Sequence, residues 1–203
     1  MLSLQKMRTL RAPSLVLCAC FMLSGCLTTK MYVDPALPIA SKVDLKQPAQ
    51  AKPVQVLFEF RTKGNANAKA TAEIRPRVVA VVAESALFSS VSSTPDGADS
   101  GVLKIVIDNI ALTDNAAAKG FGTGLTLGLA GSMVSDGYVA TATYLRDGKI
   151  TETTVKHALH TTIGNHGGPE GLTALEPQAA VHQVMDQIAW NALKQLDDQG
   201  AFD

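Results

Sequence analysis

Between Tyr138 and Ile163 the sequence runs YVATATYL, then Arg146-Asp147-Gly148-Lys149, then ITETTVKHALHTTI, two alternating threonine-rich segments joined by four residues. Asp-Gly suits a two-residue turn in which both central residues take positive φ, and β-branched alternation suits a pleated surface that is wet on one side. The segment is therefore predicted as a β-hairpin, and an antiparallel sheet has to be assembled around it. Upstream, VQVLFEF places Val54, Val56, Phe58 and Phe60 on one face of a strand. Ile74, Val78, Val81, Val82 and Ser85 then recur at helical spacing, which predicts a helix from about Ala68 to Leu87, kinked or restarted at Pro76. LFSSVSS reads as a short strand, TPDGADSG as a turn, and VLKIVIDNIAL as a longer strand with Leu103, Ile105 and Ile107 inward. Near the carboxyl end, Pro177 opens an amphipathic helix whose apolar stripe is Val181, Val184, Ile188, Ala192 and Leu196. The predicted fold is α+β: about five mainly antiparallel strands, the first crossover excepted, with two helices on one face, spanning residues 54–199.

A glycine-rich apolar segment, 116–134, is inserted before the hairpin and carries a single charge, Lys119. On a helix, Gly120, Gly124, Gly128 and Ser132 fall on one stripe of minimal side chains, which lets another backbone come close, while Phe121, Leu125 and Leu129 are among the residues covering the other faces. Each glycine costs about 1 kcal/mol relative to alanine within a helix, so such a helix needs a packing partner. Two readings follow: a segment buried on its own domain, or one that enters the membrane or mediates self-association. GFGTG within it lacks the spacing of a dinucleotide fingerprint and the Gly-Lys-Ser/Thr of a phosphate loop.

The amino terminus sets Lys6, Arg8 and Arg11 before the apolar run APSLVLCACFMLSGC, which has the charge and length of a secretory signal and is too short for a membrane span. Leu23-Ser24-Gly25-Cys26 resembles the lipobox of bacterial lipoproteins, in which a small residue precedes the cut and the following cysteine carries the lipid. The resemblance implies a signal peptide at 1–25, lipidation of Cys26, and, with Leu27 next, an outer-membrane destination facing the periplasm. Cys18 and Cys20 would leave with the signal, so neither a disulfide nor a cysteine metal site is expected in the mature chain. Removal of 25 of the 203 residues also removes three basic side chains and no acidic one from a chain balanced at 18 and 18, leaving net −3. No basic patch for nucleic acid is present. From Leu27 to Pro53, four prolines punctuate a polar stretch, and 26–53 reads as a lipidated cysteine with a flexible tether.

VQVLFEF, ATAEIRPRVVAVVAESALF and ADSGVLKIVIDNI, covering Val54 to about Leu112, are together similar to small envelope lipoproteins whose domain resembles the amino-terminal domain of TolB, the LpoB and CsgG type. The late glycine-rich segment is similar to that of TraT-type lipoproteins. These resemblances imply an envelope protein that binds partners, and they carry no functional residue across.

Catalytic groupings are not evident. The serines lie outside G-x-S-x-G, and no carboxylate pair is framed by a motif. Of the four histidines, His157 and His160 are three apart on a strand and so face opposite ways, His157 beside Val155 and Leu159. A zinc or copper site from His160, His166 and His182 is the remaining metal alternative. The expectation is a non-catalytic, cofactor-free envelope lipoprotein held to the bilayer through acylated Cys26, with a protein-binding or assembly role and possible homo-oligomer formation. The alternatives are an oligomeric pore or export component that uses the glycine-rich segment, and a metal-binding hydrolase.

Overall fold

A computed structural model describes residues 28–94, 97, 99–112, 133–164 and 167–203. The signal peptide, Cys26 and residues 116–132 lie outside the described residues. In chain order the elements are β1 (Thr29–Val33), a short 3-10 turn at Lys42–Asp44, β2 (Lys52–Thr62), β3 (Asn65–Ala66), α1 (Ala68–Glu84), β4 (Phe88–Ser92), β5 (Gly101–Ala111), β6 (Met133–Arg146), β7 (Lys149–Ile163) and α2 (Pro177–Asp198).

The described strands form one mixed seven-stranded sheet in the order β1-β7-β6-β5-β2-β3, with β4 also paired to β2. The class is the expected α+β, and the strand count is seven where about five were expected. The extra two are β1 and the two-residue β3, each too short to show a period of its own. β2 pairs in parallel with both β4 and β5, and the remaining pairings are antiparallel. The first crossover, β2-α1-β4, is thus the parallel unit that the alternation implied.

The hairpin forms with the register its turn dictates. Arg146 pairs Lys149, Asp147 and Gly148 have φ of 49° and 76°, and the ladder runs unbroken to Met133↔Thr162. Met133 and Val134, expected within the glycine-rich helix, are instead strand residues of β6. α1 runs continuously through Pro76 rather than restarting there. It starts on Asn67, whose side chain accepts from the Ala70 N–H at 3.0 Å, and ends at Ser85, whose buried hydroxyl donates to the Val82 carbonyl at 2.6 Å. Ala86 follows at φ 58°, a conformation that costs a residue with Cβ about 1 kcal/mol and glycine nothing. An Ala86→Gly chain is expected to be more stable by roughly 0.5–1 kcal/mol, read as a raised midpoint in urea; an unchanged or lowered midpoint would contradict the strain.

Both helices lie on one face of the sheet. Val54, Val56, Phe58 and Phe60 of β2, Leu103, Ile105 and Ile107 of β5, Ala140 and Ala142 of β6, and Val155 and Leu159 of β7 meet Val78, Val82, Val184, Ile188, Leu193 and Leu196 in one core. Arg77 of α1 pairs with Asp186 of α2 and donates from Nε to the His182 carbonyl at 3.2 Å, joining the two helices at their outer edge.

The stretch read as a flexible tether is folded from residue 29 onward. β1 pairs β7 from Thr29↔Ile163 to Val33↔Leu159, and its other side exchanges backbone bonds between Met31 and Leu175 at 3.1 and 2.8 Å. The chain then crosses α2, where Asn191 Nδ2 donates to the Pro38 carbonyl, the Lys46 N–H donates to buried Asp197, and Leu45 enters the core. The prolines here shape an irregular but packed connection, because their missing donors are not needed outside a ladder.

Candidate functional site

The residues that matter gather at one end of the sheet, where β1 begins, β5 and β7 finish and β6 starts. Alternation along β7 sends Val155, His157 and Leu159 toward the helices and Ala158, His160 and Thr162 to the other face. Tyr32 and Ser135 are the two cross-strand neighbours of His160, and all three share that second face. The His160 ring is bracketed by Ser135 Oγ at 2.7 Å from Nδ1 and by Asp34 Oδ2 at 2.9 Å from Nε2. Asp34 Oδ1 also accepts the Ala36 N–H at 2.8 Å, which turns the chain at Asp34-Pro35. The Asp34 backbone N–H donates to the Ala158 carbonyl at 3.1 Å. The His160 and Asp34 side chains have no exposed surface. Gly168 lies on the Tyr32 ring so closely that an added Cβ would sit 2.2 Å from Cζ.

Serine, histidine and aspartate in one hydrogen-bonded row have the composition of an acyl-transfer triad. Here the row is closed inside the fold. Ser135 is on a strand paired on both sides, the ring and carboxylate are dry, and each polar atom of the imidazole is spent on a neighbour. Ser135 belongs to β6, His160 to β7, and Asp34 sits one residue past β1, so the row ties three strands together.

His157 lies on the helix side, as its parity required, with Nε2 2.6 Å from Gln187 Oε1 and Nδ1 unpartnered. Burial pushes its pKa below the ordinary 6.5 and His160 pushes the same way, while Gln187 and the Asp34 carboxylate oppose. The unfolded chain therefore takes up a proton at a higher pH than the folded one. Stability from this group is complete above about pH 6.5 and falls as pH drops through it, by at most about 1.4 kcal/mol per pH unit. A His157→Gln chain is expected to show a shallower loss of stability between about pH 7 and 5 in denaturant titrations. An identical slope would assign the dependence to other groups.

The topology keeps two of the three proposed metal ligands apart. His182 is on α2, beside Glu73 and Gln178 in a groove between the two helices, whereas His160 points from the other face of the sheet. The sheet separates them, and His166 lies outside the described residues. Among the described residues no three His, Cys, Asp or Glu side chains converge on a metal position.

Cys26, Gly120, Phe121, Gly124, Leu125, Gly128, Leu129 and Ser132 lie outside the described residues, but the chain on either side of them is placed. Thr29 starts β1 three residues after Cys26. Leu112 donates its N–H to the Ser135 carbonyl at 2.8 Å as β5 finishes, and Met133 opens β6 beside Thr162. The start of β1 and both flanks of the glycine-rich segment thus lie at the same end of the sheet. Sequence reading missed Asp34 and Ser135 altogether. The available signals were the Tyr32/Asp34 alternation in KMYVD and the Asp-Pro step that ends it, outweighed by the prolines that follow.

No family model matches the chain, and no curated protein matches it. Among solved structures it is similar to a Xanthomonas campestris protein of the DUF330 family, at 14% identity and a TM-score of 0.39, over 76% of this chain and 92% of that one. It is also similar to a PelC dodecamer from Paraburkholderia phytofirmans, at 12% identity and a TM-score of 0.33, over 84% and 97%. An uncharacterized protein matches at 14% identity and a TM-score of 0.32, over 77% and 93%. Likeness at this level concerns the general layout and carries no argument about function.

Proposed function

We propose that this chain is an envelope lipoprotein, lipidated on Cys26 and facing the periplasm from the outer membrane, with a binding or assembly role rather than a catalytic one. The observation that supports the anchoring most directly is the start of β1 at Thr29, which mounts the folded domain on the lipobox cysteine with only Leu27 and Thr28 between them. A signal peptide left in place would extend directly from a sheet edge, and cleavage before Cys26 removes it cleanly. The resemblance of residues 54–112 to TolB-type envelope lipoproteins points the same way. A non-catalytic role is supported by burial: Ser135, His160 and Asp34 are bonded to one another and buried from solvent, and His157 is buried against Gln187 of α2.

The second reading, an export or pore component, draws on Leu112 and Met133, the described residues nearest the glycine-rich segment on either side, which lie at the end of the sheet where β1 starts. Among the described residues no helix is long and apolar enough to cross a membrane. Intact-mass measurement of the protein purified from bacterial membranes tests the first reading. The expected species begins at Cys26 and carries a diacylglycerol thioether. A chain that retains residues 1–25, or that begins at Cys26 with a free thiol, would overturn it.

A further inference from the structure

We infer that the end of the sheet bearing Thr29, Val134 and Ile163 rests on the lipid surface, with the strands standing away from it; this rests on the lipoprotein reading above. Three steps of extended chain from Cys26 to Thr29 reach about 10 Å at most, and a bilayer's headgroup layer is roughly 5–7 Å deep on each side. A cysteine whose acyl chains are in the membrane therefore holds Thr29 at its surface. Thr29 is not free to wander from the rest of the domain, because β1 is paired to β7 along its full length and locked beyond it by the Asp34–His160 contact.

The side chains at this end suit the contact. Ile163 is opposite Thr29, Val134 is opposite Thr161, and Thr161 is opposite Met31, so Ile163 and Val134 occupy adjacent rows on the same face. They are 50% and 49% exposed, at the end of two strands that are otherwise well covered on that face. Lys30, on the other face of β1, is exposed and sets a cation at headgroup height, where its stem can lie along the interface. The opposite end of β7 is Lys149, fourteen residues away and roughly 45 Å distant at about 3.3 Å per residue. Ile150, 64% exposed at that far end, is as apolar as Ile163 and lacks an anchor nearby.

Single-cysteine chains Val134→Cys, Ile163→Cys and Ile150→Cys test the placement. The mature lipoprotein has no other thiol once Cys26 carries its lipid. Each is made with its signal, purified in detergent, labelled with an environment-sensitive fluorophore, and reconstituted into phosphatidylethanolamine–phosphatidylglycerol vesicles. Spin-labelled lipid is expected to quench positions 134 and 163 at least about twofold more than position 150, and iodide in the buffer is expected to give the reverse order, as insertion at the interface requires. Equal quenching at all three positions, with Cys26 shown by mass to be lipidated, overturns the placement alone. A fluorophore attached at Cys26 with no lipid on the chain overturns the placement and the lipoprotein reading together.

Discussion

An Asp34→Ala chain is expected to unfold with about 3 kcal/mol less free energy than the parent. The carboxylate accepts from the His160 ring at 2.9 Å and from the Ala36 N–H at 2.8 Å, and neither the ring nor the carboxylate reaches solvent. Truncation leaves a buried ring nitrogen without its partner, and a stranded buried polar group costs about 1–3 kcal/mol before any cavity is counted. Ser135→Ala removes the hydroxyl on the other ring nitrogen and should cost less, about 1 kcal/mol. Asp34→Asn keeps an oxygen of the same reach and should recover part of the loss. Urea unfolding with an unchanged m-value measures the difference. Amide exchange locates it: the residues of β1 and the Asp34 N–H, bonded to the Ala158 carbonyl, should lose protection first. A loss under about 1 kcal/mol would mean that water replaces the carboxylate, and the tie between the three strands would then be a minor contribution.

The second large effect concerns location. A Cys26→Ala chain is expected to leave the membrane almost entirely, because buried acyl chain contributes about 0.8 kcal/mol per CH₂ and stable anchoring takes more than one chain. Carbonate-washed membranes, separated by centrifugation and probed for the protein, give the answer directly. Release makes the lipid the whole anchor and directs the search toward a periplasmic partner. Retention of a chain shown by mass to lack residues 1–25 would make residues 116–132 the candidate for the holding, and the export or pore reading would take the lead.

These two experiments act on adjacent parts of the molecule. On the lipoprotein reading, loosening β1 by Asp34→Ala would leave the lipid in place but free the domain from it by the length of the released strand. Fluorophores at Val134 and Ile163 in that background should then lose part of their lipid quenching.

How much of this could be read from the chain depends on the range of the interaction involved. The hairpin is local: Asp147 and Gly148 take positive φ within a two-residue turn, so the register from Arg146↔Lys149 outward follows from turn chemistry and the two-residue period. The inward rows of β2 and β5, and the stripe of α2 from Val184 to Leu196, likewise follow from alternation and helical spacing. The parity of β7 alone put His157 and His160 on opposite faces, so the two cannot share a ligand position. By contrast, the five residues of β1 carry too short a pattern to outweigh the prolines after them, and their pairing with β7 spans more than a hundred residues. Loop closure over such a distance is repaid only when the whole sheet is assembled, so no local feature announces which edge accepts the strand. The meeting of Asp34 with His160, 126 residues apart, and the placing of Thr29 at the same end of the sheet as Leu112 and Met133, are consequences of that edge choice. Only the tertiary structure could make it, because backbone donors on an open sheet edge are alike in sequence terms and differ only in what the folded chain brings beside them.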